Sequence, residues 1–497
     1  MARVTSANPT PTPDLEHQAR DAIATSPAST DPDRPLYHLA PPVGRLNDPN
    51  GLVIIDGTYH AFFQFSPFHP RKLVYWGYAS STDGTHWTHH GPAIAPDRPY
   101  DRDGAYSGTA VVDDEGVTRL YYTGNVRHRD GGREAHQCLA TTRDFVTFTK
   151  HPDNPLIPEP PAGYTRHVRD PQVWRDDDGS WRMLLGAQRI DETGAALFYR
   201  SDDGLVWRFA GEMTFPGRDE EFAALGYMWE CPSVVRVPDE AGRVHDVLIF
   251  CPQGMEPTGE GFENIFPACA LIGRLDGTSF HTDGPIRELD RGFEFYAPQV
   301  FARVPGDPGP PLLVGWLGNA SEDDQPSLEH GWVHTFTVLR ELRIRDGHLL
   351  QVPRVDLRAA RSVEVSLPDR LVDGTSSVAG LNGSRSFHLR LVLDADAWAV
   401  RIGSPDSHID LTARDGRLVL DRSATRYPHG ERRTVTLPDA APLTLEVFHD
   451  RSATEVFLND GELALSLRSF LDPDASGVTL RADGRVTILD AAAHRFD

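Results

Sequence analysis

One arrangement returns along this chain at an interval of about sixty residues: a polar or carboxylate side chain, in most copies a proline, and then a short apolar strand. Asn47-Asp48-Pro49-Asn50-Gly51 leads into Leu52-Val53-Ile54-Ile55, Asp170-Pro171 into Gln172-Val173-Trp174, and Glu230-Cys231-Pro232 into Ser233-Val234-Val235. From Asp48 to Asp170 is 122 residues and from Asp170 to Glu230 is 60, so the first gap hides a copy. Ser107, in Tyr106-Ser107-Gly108-Thr109-Ala110-Val111-Val112, fills it, and Tyr296, in Phe295-Tyr296-Ala297-Pro298-Gln299-Val300-Phe301, supplies a fifth. The steps are 59, 63, 60 and 66. Asn, Asp, Pro and Gly at this density predict a tight turn entering a strand. A single such turn is ordinary, with a solvated Asp; five in phase are not.

A second repeat keeps step with the first. Ser81-Thr82-Asp83-Gly84, Thr142-Arg143-Asp144, Ser201-Asp202-Asp203-Gly204 and Leu275-Asp276-Gly277 are each followed, four residues after the Asp, by an aromatic: Trp87, Phe148, Trp207 and Phe280. Repeats of this length, rich in turns and short strands and without long helical periodicity, predict propeller blades of four strands. Equivalent positions of every blade then face one end of a central channel, which makes neighbours of Asp48, Ser107, Asp170, Glu230 and Tyr296. Beyond Gln351-Val352-Pro353 the pattern becomes alternating strands, such as Phe387–Leu393 and Thr444–His449, broken by Asp-Gly and Asn-Gly turns. That is an antiparallel β-sandwich. The expected chain is all-β: a flexible segment over 1–33 with a short helix from Asp14 to Thr25, a five-bladed β-propeller over 34–350, and a β-sandwich over 351–497.

The formal net charge of −23 argues against nucleic acid and anionic membrane as general partners. No stretch has the apolar length of a membrane span, and the N-terminal residues lack the apolar core of a secretory signal. The 4 cysteines have neither metal-site spacing nor the number for a disulfide framework, so a cytoplasmic protein is expected. Cys231, beside Glu230, reads as a packed thiol rather than a nucleophile. Gln64 reads equally as a ladder-flanking or site residue, Trp76 as inter-blade packing or a sugar platform, and Arg169 as an ion-pair partner that keeps Asp170 charged.

Two Asp and one Glu at a channel mouth fit a hard cation, but no Asp-x-Asp-x-Asp-Gly loop accompanies them. Glycoside cleavage fits better, because it needs an ionised carboxylate to attack and a protonated one to donate. Crowding of like charges raises one member and so supplies the acid. No metal or organic cofactor is required.

Asn47-Asp48-Pro49-Asn50-Gly51, Tyr106-Ser107-Gly108, Arg169-Asp170-Pro171, Trp229-Glu230-Cys231-Pro232 and Phe295-Tyr296-Ala297, in this order, resemble the motif set of glycoside hydrolase family 32. Gly315-Trp316, Arg340-Glu341-Leu342 and Glu455-Val456-Phe457-Leu458-Asn459-Asp460-Gly461-Glu462 extend the resemblance through the second domain. The resemblance implies a five-bladed propeller with a β-sandwich and a retaining β-fructofuranosidase acting on sucrose or short fructo-oligosaccharides. It implies Asp48 as nucleophile, Glu230 as acid/base and Asp170 as transition-state stabiliser, with Asn47, Gln64, Trp76, Tyr106, Ser107, Arg169, Tyr296 and Trp316 around the sugar. Pro41-Pro42-Val43-Gly44 and Gly226-Tyr227-Met228-Trp229 resemble intracellular bacterial members. Sucrose 6-phosphate is then an alternative substrate, with Arg166 and His167 as candidates to meet the phosphate. A fructosyltransferase would share the same carboxylates, whereas a non-catalytic sugar-binding protein would be expected to have lost one. Tyr78, Glu294 and the lack of Pro before Arg340 depart from the family's pattern.

Overall fold

The structure, a computed structural model, describes residues 14–496 apart from 177, 258–260, 283, 305, 308, 358–361, 366–370 and 440–441, with the backbone alone at 371 and 483–485. Five antiparallel sheets follow one another along the chain. Their innermost strands are Gly44–Ile55, Ala105–Val112, Tyr164–Arg175, Met228–Pro238 and Tyr296–Val300, and from each the chain steps outward through a further three main strands. The ring closes between the first and last blades. Ala302–Arg303 and Trp332–Val333, both in the chain of the fifth blade, pair in parallel with the first inner strand, Val53 opposite Ala302 and Gly44 opposite Trp332.

The first repeat lies inside the inner strands and not, as its composition predicts, in turns before them. In each of the five the ladder slips at the repeated position: between Leu46 and Pro49, between Tyr106 and Gly108, between Arg169 and Gln172, between Glu230 and Ser233, and between Tyr296 and Gln299. These are β-bulges, which bend a strand and re-aim a side chain. Proline is tolerated there because the inner strand has one free edge, so its missing N–H breaks no ladder bond. Asp170, Cys231 and Ala297 take positive φ values of 62°, 48° and 45° to make the bend. In the second blade a glycine replaces the proline, since a Cβ on Gly108 would lie 1.9 Å from the Tyr121 carbonyl oxygen.

The second repeat forms the turn between third and fourth strands. Asp83 Oδ1 accepts the N–H groups of Thr85 and His86 at 2.7 and 2.8 Å, Asp144 those of Val146 and Thr147, and Asp203 those of Leu205 and Val206. The Ser or Thr two residues earlier donates to the same carboxylate, at 3.0 Å for Ser81 and 2.9 Å for Ser201. Such turns hold the backbone without help from the ladder.

Apolar side chains pack between successive blades. Phe62, Trp76 and Tyr122 join the first to the second, Tyr121, Val173 and Leu185 the second to the third, and Leu184, Trp229 and Phe250 the third to the fourth. The second domain packs Leu389, Leu391, Val400, Leu411, Leu445 and Leu465 into one core. Its two layers are stitched by the long strand Val478–Arg495, which pairs first with Trp398–Gly403 and then with Ser386–Asp394.

The N-terminal stretch is more ordered over 14–33 than its composition suggests; residues 1–13 lie outside the described set. Asp14 caps the helix Leu15–Ala24 by accepting from the His17 N–H at 3.0 Å, and Arg20 reaches the His90 carbonyl of the first blade. Further on, Asp33 pairs with Arg385 and Arg426 of the sandwich, and His38 sits wholly buried between Asp450 and Glu455. This segment straps the two domains together.

Candidate active site

The bulges bring Asp48, Asp170 and Glu230 into electrostatic reach of one another, each from a different blade. Asp48 is held by three donors. Ser107 Oγ and Gln64 Nε2 donate to its Oδ2 at 2.5 and 2.9 Å, and Asn47 Nδ2 donates to Oδ1 at 3.2 Å. Asn47 Nδ2 also donates to Gln64 Oε1 at 2.7 Å, which fixes both amides. Burial pushes the Asp48 carboxyl up, the Ser107 hydroxyl pulls it back, Glu230 pushes it up again and Asn47 pulls it down.

Asp170 occupies its bulge with its backbone N–H on Thr123 Oγ1 at 3.0 Å and its Oδ2 accepting the Cys231 N–H at 3.1 Å. Burial raises its carboxyl, Arg169 lowers it, and Glu230 and Asp48 raise it further, to about 7. The site therefore retains a proton near neutrality.

Glu230 is the most heavily tethered of the three. Arg169 donates to its Oε1 through Nε at 3.0 Å and Nη2 at 2.6 Å, while Gln253 Nε2 and Tyr296 Oη donate to Oε2 at 2.7 and 2.5 Å. Burial and Glu230 push the Tyr296 phenol well above its ordinary range, so it stays a donor. Trp316 stands edge-on to Tyr296 with centroids 6.2 Å apart and under the Arg45 guanidinium at 5.0 Å, and its buried indole N–H has no partner among the described residues.

Ten of the eleven residues singled out from sequence thus meet around one space or border it: Tyr106 is half-buried at its edge, its hydroxyl accepting from Arg127 Nη2 at 2.9 Å. Trp76 stands apart. Its ring is fully buried against Phe62 and Tyr122 and its indole N–H is spent on the Tyr106 carbonyl, so it holds the site from behind. Cys231 contributes through its backbone; burial pushes its thiol well above the ordinary range, as a packed cysteine requires. Arg166 points to Glu134 at 3.3 Å, away from the carboxylates.

Sequence reasoning missed Gln253. A signal for it exists, a third repeat in the same phase. Gln64, Asn125, Gln188, Gln253 and Asn319 recur at steps of 61, 63, 65 and 66, each an amide at or just beyond the end of a second strand. Gln64 and Gln253 perform the same task in the first and fourth blades, donating to the carboxylate of the adjoining inner strand.

Carboxylates converged by the bulges of a five-bladed propeller are the groups that glycoside cleavage requires, one to attack and one to donate a proton. The sequence model described as the Glycosyl hydrolases family 32 N-terminal domain matches residues 38–353, and the C-terminal one matches 372–495. The chain belongs to glycosyl hydrolases family 32 and is a glycoside hydrolase. It is 40% identical over 465 residues to the sucrose-6-phosphate hydrolase of Klebsiella pneumoniae, covering 89% of this chain and 90% of that one. It is 37% identical to the raffinose invertase of Escherichia coli, with coverage of 90% and 92%. Among solved structures, sucrose-6-phosphate hydrolase from Lactobacillus gasseri superposes with a TM-score of 0.84 at 30% identity, covering 97% of both chains. A GH32 beta-fructofuranosidase of Bombyx mori gives 0.79 at 28% identity, with 99% of both covered.

Proposed function

We propose that the protein is a retaining β-fructofuranosidase that hydrolyses the terminal β-D-fructofuranosyl bond of sucrose and its close derivatives. The observation that carries this reading is the unequal tethering of the carboxylates. Asp48, with donors on both oxygens, is oriented as a nucleophile whose charge Ser107, Gln64 and Asn47 stabilise. Glu230 is suspended among Arg169, Gln253 and Tyr296 as the acid that protonates the departing oxygen and afterwards activates water. Asp170, carrying a proton near neutrality, accepts or donates to the fructose ring hydroxyls. Hydroxyl donors arriving with the sugar favour its ionised form. The buried indole N–H of Trp316 offers one more donor. The 4 cysteines are all free and buried, in keeping with a reducing cytoplasm.

The test is product analysis on sucrose, sucrose 6-phosphate and an inulin-type fructan, with Asp48→Asn and Glu230→Gln as controls. Fructose is expected first as the β-anomer, by rapid NMR sampling, and from neither variant. Release of the α-anomer, or undiminished release by either variant, rejects the assignment.

A further inference from the structure

A cleft of about 280 Å³ opens where the fourth blade meets the sandwich, and none of the three site carboxylates lines it. The blade contributes Phe262, Glu288, Leu289 and Arg291 to its walls, and the sandwich contributes Leu437 and Leu463. Glu288 belongs to the short strand Arg287–Glu288, which pairs with Cys269 and Ala270, and its side chain is only 3% exposed. Its Oε1 has no hydrogen-bond partner among the described residues, and neither has the buried Nη2 of Arg291. The two groups do not close on one another: Arg291 Nε stands 3.7 Å from Glu288 Oε2. The backbone holds them so. Leu289 N–H donates to the Ala268 carbonyl of the blade at 2.9 Å, and Arg291 N–H to the Ala464 carbonyl of the sandwich at 2.9 Å. Gly261 leaves the space beside both open, since a Cβ there would lie 3.0 Å from Glu288 Oε2 and 3.4 Å from Arg291 Nη2.

The other charged groups around Glu288 are engaged. Arg433 takes Glu263 at 3.3 Å and donates to the Gly292 carbonyl at 3.0 Å, and Asp290 accepts from Arg340 and Ser466. Glu462 faces His348 at 3.3 Å, burial keeps the Cys269 thiol neutral, and Arg287 is exposed at the rim. Burial raises the Glu288 carboxyl, the Phe262 N–H, Arg291 and Arg433 lower it, and Asp290 raises it again, to about 7. Near neutrality Glu288 thus offers an O–H beside a guanidinium N–H that is always charged. A buried donor without a partner costs stability, and one ligand with two acceptor oxygens satisfies both donors. We propose that this cleft binds a small organic carboxylate, one oxygen accepting from Arg291 Nη2 and the other from the Glu288 carboxyl, with its hydrocarbon body against Phe262, Leu289, Leu437 and Leu463. A single negative charge suits one guanidinium, and apolar walls suit a hydrocarbon better than a strongly hydrated dianion. The site is separate from the fructosyl pocket and independent of how the carboxylates there divide their work.

The experiment is isothermal titration calorimetry with benzoate and butyrate, and with benzyl alcohol and glucose as neutral comparators, in buffers of different ionisation heat from about pH 6 to 9, a range that brackets the Glu288 titration. Benzoate and butyrate are expected to bind at a single site with uptake of about half a proton at pH 7, and with affinity falling about tenfold per pH unit above it. Glu288→Gln keeps an N–H donor at every pH, so its carboxylate affinity is expected to lose the pH dependence. Arg291→Met is expected to bind about 10- to 100-fold more weakly, the worth of one charged hydrogen-bonding partner, with melting temperature as the control for folding. The Glu288→Gln comparison stands by itself if Arg291→Met does not fold. Absence of saturable carboxylate binding overturns the proposal. So do binding of benzyl alcohol or glucose as tight as that of benzoate, an affinity indifferent to Arg291→Met, and a pH dependence that survives in Glu288→Gln.

Discussion

Ser107→Ala removes one oxygen and tests how the Asp48 carboxyl is kept charged. Ser107 is fully buried, and its hydroxyl donates to Asp48 Oδ2 at 2.5 Å while accepting from Gln64 Nε2. It is the largest influence holding the Asp48 carboxyl down against burial. A hydrogen bond to a charged group contributes ~1.5–3 kcal/mol. At 1.36 kcal/mol per factor of ten that is a loss of about 10- to 150-fold in kcat/KM. Gln64 and Asn47 remain as donors at 2.9 and 3.2 Å, which places the expected loss toward the lower end. Removing a donor disfavours the ionised carboxyl, so the acid limb of kcat/KM against pH moves to higher pH, and part of the lost rate returns as pH is raised. The assay is initial-rate fructose release from sucrose across pH 4 to 9, roughly the span over which carboxyls and imidazoles titrate, with melting temperature as the control. A variant within twofold of the unmutated enzyme, or one equally impaired at every pH, refutes the claim that Ser107 acts by stabilising the Asp48 charge.

Three further outcomes are expected. Burial alone would lower the His38 imidazole, but Asp450 and Glu455 raise it to about 9 from 6.5; its stabilising contribution is therefore complete below about 6.5 and lost as pH rises through about 9. That is about 3 kcal/mol at 1.36 kcal/mol per unit, and urea midpoints measured from pH 6 to 9.5 should decline in the unmutated protein and stay flatter in His38→Gln. Glu294→Gln leaves Arg422 and Arg468 without their buried carboxylate, a loss of about 3–5 kcal/mol readable in denaturant titration; a change under 1 kcal/mol would count against that ion-pair account. Cys231, buried with its thiol pushed up, should resist iodoacetamide in the folded enzyme and react only in denaturant, as peptide mass spectrometry can follow.

The blade count and the three carboxylates were legible because both obey one period of about sixty residues. The local geometry was not. Asp48-Pro49-Asn50-Gly51 carries the same composition whether it turns between strands or bulges within one, and only the free edge of an innermost strand lets it bulge. Trp76 was ambiguous for a related reason: an aromatic beside the site and one behind it have the same sequence neighbourhood, and blade packing decides between them. Gln253 did carry a signal, in the phase of the second-strand amides, but one glutamine at a strand end means nothing until the strands have been aligned by blade.

The same packing logic explains what the second domain does for a site it does not line. Glu294, two residues before Tyr296, is wholly buried and takes Arg422 Nη1 and Nη2 at 3.0 and 2.8 Å and the backbone N–H of Arg468 at 2.8 Å, all from the sandwich. Burial opposes the charge on Glu294, and the two arginines hold the carboxyl below its ordinary value. Arg468 also reaches the Glu322 carbonyl at 2.8 Å, and His429 takes the Glu322 carboxylate at 2.6 Å. Beside it Asp323 pairs with Arg45, whose guanidinium covers Trp316. Tyr296 is thus tied to the sandwich through nearby Glu294, and Trp316 through Arg45, Asp323 and the adjoining Glu322. The fifth blade meets the first through two short parallel pairings and through apolar packing of Leu46, Phe63 and Phe65 with Trp316 and Phe336. The charged clamps of the second domain, buried where water cannot compete, add to that packing around Tyr296, whose hydroxyl donates to Glu230 at 2.5 Å.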